Sequence, residues 1–113
     1  WPTMACDLGL VETVGGVLSP LSADADSRDL ARAVAPDNVV IVAHADLGTI
    51  NEVRLAAEAL AGIPLVVFLN RFDPNIDLHV RNRRWLQDQN GLTVEIDVDR
   101  VLTWLCRQTA SSD

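Results

Sequence analysis

Two apolar runs, one from Asn38 to Ala43 and one from Pro64 to Leu69, constrain the fold of this chain more than any other feature. Both are rich in Val, Ile and Leu without polar alternation, a pattern typical of strands covered on both faces. Helical spacing follows each run, so strands and helices alternate along the chain. This order favours a parallel sheet with helical crossovers, and we expect both runs to be central strands.

Two further strands extend the predicted sheet. The run from Asp7 to Glu12 is predicted as a buried strand that delivers Glu12 to a tight turn, and a short strand is expected near Thr93 to Ile96. The fold class is therefore α/β, with a three-layer, mainly parallel sheet of three to four strands flanked by helices in one domain. So small a sheet leaves at least one apolar strand edge unpaired, which predicts a partner chain.

The first two predicted helices have clear ends. One spans about Ser27 to Val34, because Pro36 stops it. The next begins at Thr49, where Glu52 completes a capping-box pattern, and it ends at Gly62.

The last two predicted helices are assigned from their apolar positions. A third runs from Pro74 or Asp77 to Gln89, and a fourth begins at Asp97. The residues expected to face inward on the third are Leu78, Trp85 and Leu86, and those on the fourth are Val98, Val101, Leu102, Leu105 and Cys106. Cys6 and Cys106 belong to no metal or redox spacing, so we expect buried free thiols.

Charge and hydropathy narrow the possible partners. The formal net charge is -7, from 16 acidic residues against nine arginines and no lysine. Such a surface repels nucleic acid and anionic membranes, and no apolar stretch approaches the length of a membrane helix. We therefore expect a cytoplasmic protein with no nucleic-acid or membrane partner.

Four short motifs carry chemical meaning together. They are Glu12 with Gly15-Gly16, the segment 18–22, the segment 47–51 and the segment 67–70. The same motifs occur in this order in dethiobiotin synthetases, and the chain resembles the C-terminal half of that family. The resemblance implies a partial P-loop NTPase (Rossmann-like) domain over residues 1–113. The glycine-rich loop that ends in Lys and Ser or Thr is missing from it, because the sequence has no lysine.

The resemblance also implies an activity, cofactors and partners. Members of the family use ATP, Mg²⁺ and CO₂ to close a cyclic urea on a diaminononanoate in biotin biosynthesis. The chain would thus be part of an ATP-dependent cyclo-ligase, paired as a homodimer or with a complementary P-loop-containing chain, and would bind ATP and a small amino-acid-like substrate. Without the phosphate loop and its lysine, we expect it to be nearly inert alone.

Site residues carry over position by position. Glu12 matches the acidic ligand of Mg²⁺, since a hard cation prefers oxygen. Asn70 matches the residue that hydrogen-bonds the adenine edge, for which an amide offers both a donor and an acceptor. The matched substrate-binding positions are Gly15, Gly16, Ser19, Gly48, Thr49, Ile50 and Asn51, and the other nucleotide-side positions are Gly91 and Leu92.

Taken without the resemblance, each position also has an ordinary structural interpretation. Glu12 could cap a turn, segment 48–51 could be a plain helix start, and Asn70 could belong to a turn. His44 and His79 are expected to be structural. The alternative function is a non-catalytic interaction module that pairs with another chain. Thr13, Val14 and Glu52 favour it, because the family has other residues there.

Overall fold

The protein folds around one small parallel sheet, as seen in a computed structural model that describes residue 5 and residues 7–110. The three strands have the order β1-β2-β3 and pair in parallel. The predicted α/β class is confirmed. The elements are α1 (Ser27–Val34), β1 (Val39–His44), α2 (Thr49–Ala59), β2 (Leu65–Asn70), α3 (Asp77–Asn90), β3 (Val94–Glu95) and α4 (Val98–Ala110).

β2 is the central strand. Its successive residues Val66 and Val67 are both fully buried, and because they point to opposite faces, the sheet is covered on both sides at this point. β1, predicted to be central as well, is an edge strand in the sheet of the described residues. Its outward side chains remain exposed, with Val42 at 64%. β1 is apolar except for His44, and within the described residues it has one exposed face and one unpaired edge, as predicted for so small a sheet.

The predicted strand from Asp7 to Glu12 is wrong. Residues 7–12 form no strand, and Leu10 is 83% exposed. An apolar run becomes a strand only where a neighbour supplies its backbone hydrogen bonds, and residues 7–12 pair with none of the three strands. Cys6 lies outside the described residues.

The two first helices begin in different ways. α1 starts after Asp26, whose carboxylate accepts the Asp29 N–H while the Asp29 carboxylate accepts the Asp26 N–H, so the capping is reciprocal. α2 starts after Gly48 with no side-chain cap. The predicted capping box of Thr49 and Glu52 is therefore wrong, because the N-cap position belongs to Gly48.

On α3, the inward prediction holds for Leu86, which is fully buried, and fails for Leu78 and Trp85, which are 37% and 39% exposed. The buried face of the helix instead contains two polar residues, His79 and Asn82. Because these side chains have hydrogen-bond partners inside the fold, burial does not follow hydropathy here.

On α4, the predicted stripe also holds only in part. Val101 is buried, whereas Val98 and Leu102 are more than half exposed and the Cys106 thiol, predicted to be buried, is exposed. The main contacts of α4 within the described residues are with β2 and the two-residue strand β3, so little sheet is available to cover its stripe.

The core lies between the sheet and the helices α2 and α3. Its buried members are Ala45, Val53, Val67, Leu69, Leu86 and Val94. Ala45 belongs to the connection that follows β1, so the core extends to the carboxyl ends of the strands. Among the described residues, no helix combines the length and apolarity needed to cross a membrane.

Candidate functional site

The carboxyl ends of β1 and β2 meet at one edge of the sheet. His44, the last residue of β1, stands opposite Asn70, the last residue of β2, in the parallel register. In open α/β sheets, ligands bind at this carboxyl edge because the loops there leave the sheet together. Two of the sequence-predicted sites, segment 48–51 and Asn70, are therefore brought to the same edge.

The start of α2 has the properties of an anion-binding turn. Gly48 adopts φ 98°, a left-handed conformation that favours glycine, and a Cβ there would meet no atom within 4 Å. Thr49 is completely buried, and its Oγ1 has no hydrogen-bond partner among the described residues. The first N–H groups of a helix lack intrahelical partners, and no side chain caps these.

Glu52 lies in the first turn of α2 but does not cover the helix start. Its carboxylate is 3.2 Å from Nε2 of His44, at the end of β1. The Nδ1 atom of His44 accepts the Asp46 N–H at 3.2 Å. Glu52 thus pairs with His44 rather than with the helix start. The Thr49 N–H bonds the Asp46 carbonyl oxygen, which leaves the N–H groups of Ile50 and Asn51 for an anion.

Asp46 links the loop after β1 to α3. Its Oδ1 is 2.8 Å from Nε2 of His79, and the Nδ1 atom of His79 accepts the Asp73 N–H at 3.0 Å. The hydrogen bond with His79 is the largest of the effects that hold the pKa of the Asp46 carboxyl below its ordinary value. His79 itself is 3% exposed and lies 5.9 Å from the ring of Phe72.

Asn82 fixes the same loop one turn further along α3. Its Nδ2 donates to the carbonyl oxygens of Ala45 at 2.9 Å and of Asp46 at 3.1 Å. Two buried polar side chains of α3 therefore contact the loop that precedes Gly48. A buried amide or imidazole without a hydrogen-bond partner costs free energy, so these contacts stabilise one position of the loop.

Asn70 is exposed at the end of β2, and its Oδ1 accepts the N–H of Arg71 at 3.0 Å. Its NH₂ group has no partner among residues 7–110, so it is available to a ligand. Arg71 has φ 56°, one of only two described residues other than glycine with positive φ. Backbone strain of this kind clusters at functional sites, which supports a ligand role for this turn.

Gly91 and Leu92 follow α3. Gly91 ends the helix at φ 61°, as the sequence predicted, and Leu92 packs against the core. A shallow depression of about 420 Å³ is lined partly by Leu92 and by Asn51 of α2. One residue predicted to contact nucleotide and one predicted to contact substrate therefore share this surface.

The remaining predicted residues lie in the segment before α1. Glu12 and Gly16 are exposed, and Gly15 has φ 80° with an ideal Cβ position only 2.6 Å from Ser19 Oγ. Backbone hydrogen bonds fix this segment to α1, from Ser27 N–H to Ser19 at 3.2 Å and from Arg28 N–H to residue 17 at 2.9 Å.

The fit of Mg²⁺ to these residues depends on the nucleotide. Among the described residues, no group of three or more His, Cys, Asp or Glu side chains is arranged to hold a metal. Glu12 offers an exposed carboxylate, and Mg²⁺ is commonly bound by one or two carboxylates together with substrate phosphates. Glu12 thus suits one ligand of a phosphate-bound ion.

Sequence reasoning gave no role to Asp46 and Asn82, and for His79 it expected only a structural one. Asp46 and His79 are 33 positions apart and Asp46 and Asn82 are 36 apart, so no local spacing connects them. The one available signal was two polar residues, His79 and Asn82, three positions apart on a helix otherwise assigned by its apolar residues.

Comparison with known proteins gives one consistent resemblance. Over 71 residues, or 60% of this chain, it is 44% identical to the ATP-dependent dethiobiotin synthetase BioD of Anaeromyxobacter dehalogenans. It is 41% identical over 80 residues to the enzyme of the same name from Xanthomonas campestris pv. campestris, strain 8004, and 43% identical over 93 residues to that of Mycobacteroides abscessus. These matches cover 68% and 77% of this chain.

The matched segments cover 31%, 35% and 40% of the three relatives. The chain thus spans about a third of their length. No protein-family model matches it, and no solved structure matches it. On the strength of these relatives, the chain resembles part of the ATP-dependent dethiobiotin synthetases.

Proposed function

We propose that this chain is part of an ATP- and Mg²⁺-dependent ligase of the dethiobiotin synthetase type, acting on a diaminononanoate in biotin biosynthesis. One observation carries the proposal: the parallel register of His44 with Asn70 places the open start of α2 and the Asn70 amide at one edge of the sheet. Relatives named for this ATP-dependent activity support it.

Each part of the site has a stated role in the proposal. The turn at segment 48–51 receives the carboxylate of the small amino-acid-like substrate through backbone N–H groups. Asn70, with Gly91 and Leu92, contacts the adenine. Gly15, Gly16 and Ser19 lie against the substrate, and Glu12 supplies one oxygen to Mg²⁺ beside the phosphates.

The phosphate-binding loop would come from another segment or another chain, because residues 1–113 contain no lysine. A complementary P-loop-containing chain or a homodimer would bring it to the carboxyl edge. The residues described here bind and orient, and phosphoryl transfer depends on the charge that the missing loop supplies.

Calorimetric titration of the purified chain with Mg-ATP tests the nucleotide part. We expect weak binding, and we expect Asn70→Ala and Glu12→Gln each to reduce it. Asn75→Ala is the matched control, since Asn75 is also exposed but bonds only Asp73 among the described residues. Equal binding by Asn70→Ala and Asn75→Ala, or none by the wild type, would contradict a nucleotide half-site.

The alternative function, a non-catalytic interaction module, is favoured by the exposed apolar surface. Among the described residues, β1 has one edge without a neighbouring strand and an exposed Val42. The segment before α1 exposes Leu8, Leu10 and Val14 by 70% or more. Apolar strand edges favour pairing with another chain. Sedimentation of the wild type and of Val42→Lys tests this alternative. A wild-type dimer that dissociates in the variant, together with no nucleotide binding by either protein, would favour the interaction module.

A further inference from the structure

Two of the three buried residues of α3 are polar, and both direct their hydrogen bonds to loops at the carboxyl edge of the sheet. His79 and Asn82 are 3% and 7% exposed, whereas Leu86 is fully buried in the core. A polar side chain costs free energy when it is buried, unless its partners are placed for it. His79 and Asn82 can therefore be buried only while the two loops that they contact keep their positions.

We propose that His79 is a positioning residue that couples the loop after β2 to the loop after β1. The first loop follows Asn70 and the second leads to Gly48, so the coupled elements are the nucleotide side and the substrate side of the site. The inference rests on the proposed function for the identity of these ligands. The contact geometry itself is independent of it.

The imidazole ring spans the two loops directly. Nδ1 accepts the Asp73 N–H at 3.0 Å, and Nε2 lies 2.8 Å from the Asp46 carboxylate. A neutral ring with its proton on Nε2 satisfies both contacts, because Nδ1 must keep its lone pair to accept the amide. The ring is rigid, so a displacement of Asp73 is transmitted to Asp46.

Asp46 carries the displacement to the start of α2. Its backbone oxygen accepts the Thr49 N–H at 3.3 Å and the Asn82 amide at 3.1 Å. Its own N–H is donated to His44. Asp46 therefore has hydrogen bonds to α3, to the end of β1 and to the first residue of α2. His79 contacts Asp46 through the Asp46 carboxylate.

This arrangement makes the two sides of the site thermodynamically linked. A nucleotide that orders the turn after Asn70 would also order Asp73, and through His79 it would fix the N–H groups at the start of α2. Binding of Mg-ATP and of a carboxylate would then each raise the affinity for the other by the same factor.

Nuclear magnetic resonance of the ring nitrogens gives the first test on the unmodified chain. We expect His79 to be the neutral tautomer protonated on Nε2, in slow exchange with other forms. A ring protonated on Nδ1, or one that averages between tautomers, would overturn the bridge. This measurement needs no variant, so it stands even where a substitution unfolds the protein.

Two substitutions divide the bridge into its halves. The short amide of His79→Asn can still accept the Asp73 N–H, whereas the longer amide of His79→Gln reaches towards Asp46. His79→Asn loses the contact with Asp46, so the Thr49 amide should exchange about tenfold faster. His79→Gln loses the hydrogen bond from the Asp73 N–H, so the Asp73 amide should exchange about tenfold faster. The Val67 amide, bonded to Thr93 in the sheet, is the internal reference. Equal acceleration at Thr49 and Asp73 in both variants, or acceleration at neither, would overturn the proposal.

Addition of Mg-ATP then separates the bridge from the proposed function. In the wild type, the amide resonances of both Asp73 and Thr49 should shift, and in His79→Asn only that of Asp73 should. An equal Thr49 shift in His79→Asn would overturn the coupling while leaving nucleotide binding intact. If no resonance shifts in the wild type although the exchange pattern holds, the bridge is supported and the nucleotide role is the part that fails.

Discussion

The Nε2 atom of His79 lies 2.8 Å from the Asp46 carboxylate, and this contact joins the buried side of α3 to the loop that begins α2. The two residues sit after different strands, so the contact exists only because β1 and β2 are parallel and end together. It also lowers the pKa of the Asp46 carboxyl, whose residue bonds the Thr49 N–H through its backbone oxygen. The candidate site is therefore held by side chains from a helix outside it.

Acid should weaken the fold through Asp46. Because the pKa of its carboxyl is lower in the folded state, the stabilisation from Asp46 is fully present above the unfolded pKa and is lost as the pH falls through the folded pKa. We expect the wild type to lose stability below pH of about 4, and Asp46→Asn to have a shallower dependence. Urea unfolding at a series of pH values measures both slopes. Parallel curves for the two proteins would show that Asp46 does not contribute.

Core packing between α3 and the sheet should dominate stability. Leu86 is fully buried, so Leu86→Ala should lower the free energy of unfolding by about 2 to 5 kcal/mol. Leu102→Ala, on α4 and 51% exposed, should change it by less than about 0.5 kcal/mol. Urea denaturation compares the two, and similar losses would contradict the described core.

The fold was predictable where an element is defined by a local sequence pattern and pairs with the next strand along the chain. α1 has the predicted bounds, and β1 and β2 lie within one residue of theirs, because Val- and Ile-rich runs between turn residues allow few alternatives. The strand at residues 7–12 failed, since hydropathy shows that a run can be buried and not whether a neighbour exists to pair with it.

The site was predictable only as far as motifs reach. Gly48 and Asn70 could be proposed as site residues because each stands at the end of an element in a recognisable motif. Asp46, His79 and Asn82 could not, because their contacts link positions more than 30 residues apart. The predicted capping box of Thr49 and Glu52 failed for a related reason. The Glu52 carboxylate pairs with His44, which belongs to another element, and not with the backbone of the helix start.

The reciprocal cap of α1 gives a sharp local test. Asp26 accepts the Asp29 N–H, and this hydrogen bond is the largest of the effects that lower the pKa of its carboxyl. Asp26→Ala should lower the free energy of unfolding, because alanine cannot accept the Asp29 N–H. Asp24→Ala, which removes only an exposed bond to Ser22, should have a much smaller effect. If both variants unfold at the same urea concentration, the cap is not stabilising.

The glycine pair before α1 should respond unequally to alanine. Gly15→Ala places a Cβ at φ 80° and 2.6 Å from Ser19 Oγ, so it should cost about 1 to 2 kcal/mol of backbone strain before Ser19 adjusts. Gly16→Ala meets Ser19 Oγ only at 3.8 Å and should be tolerated. Thermal unfolding of the two variants measures the difference. A reversed order would contradict the described turn.

Residue-resolved titration with Mg-ATP, followed by nuclear magnetic resonance, tests the central claim most directly. If the carboxyl edge of the sheet is a nucleotide half-site, the largest amide shifts will occur at Asn70, Arg71 and Gly91. Asn70→Ala will reduce the shifts at Arg71 and Gly91, and Asn75→Ala will leave them unchanged. Shifts confined to the arginines at 81 and 84 on α3, or no shifts at all, would contradict the claim.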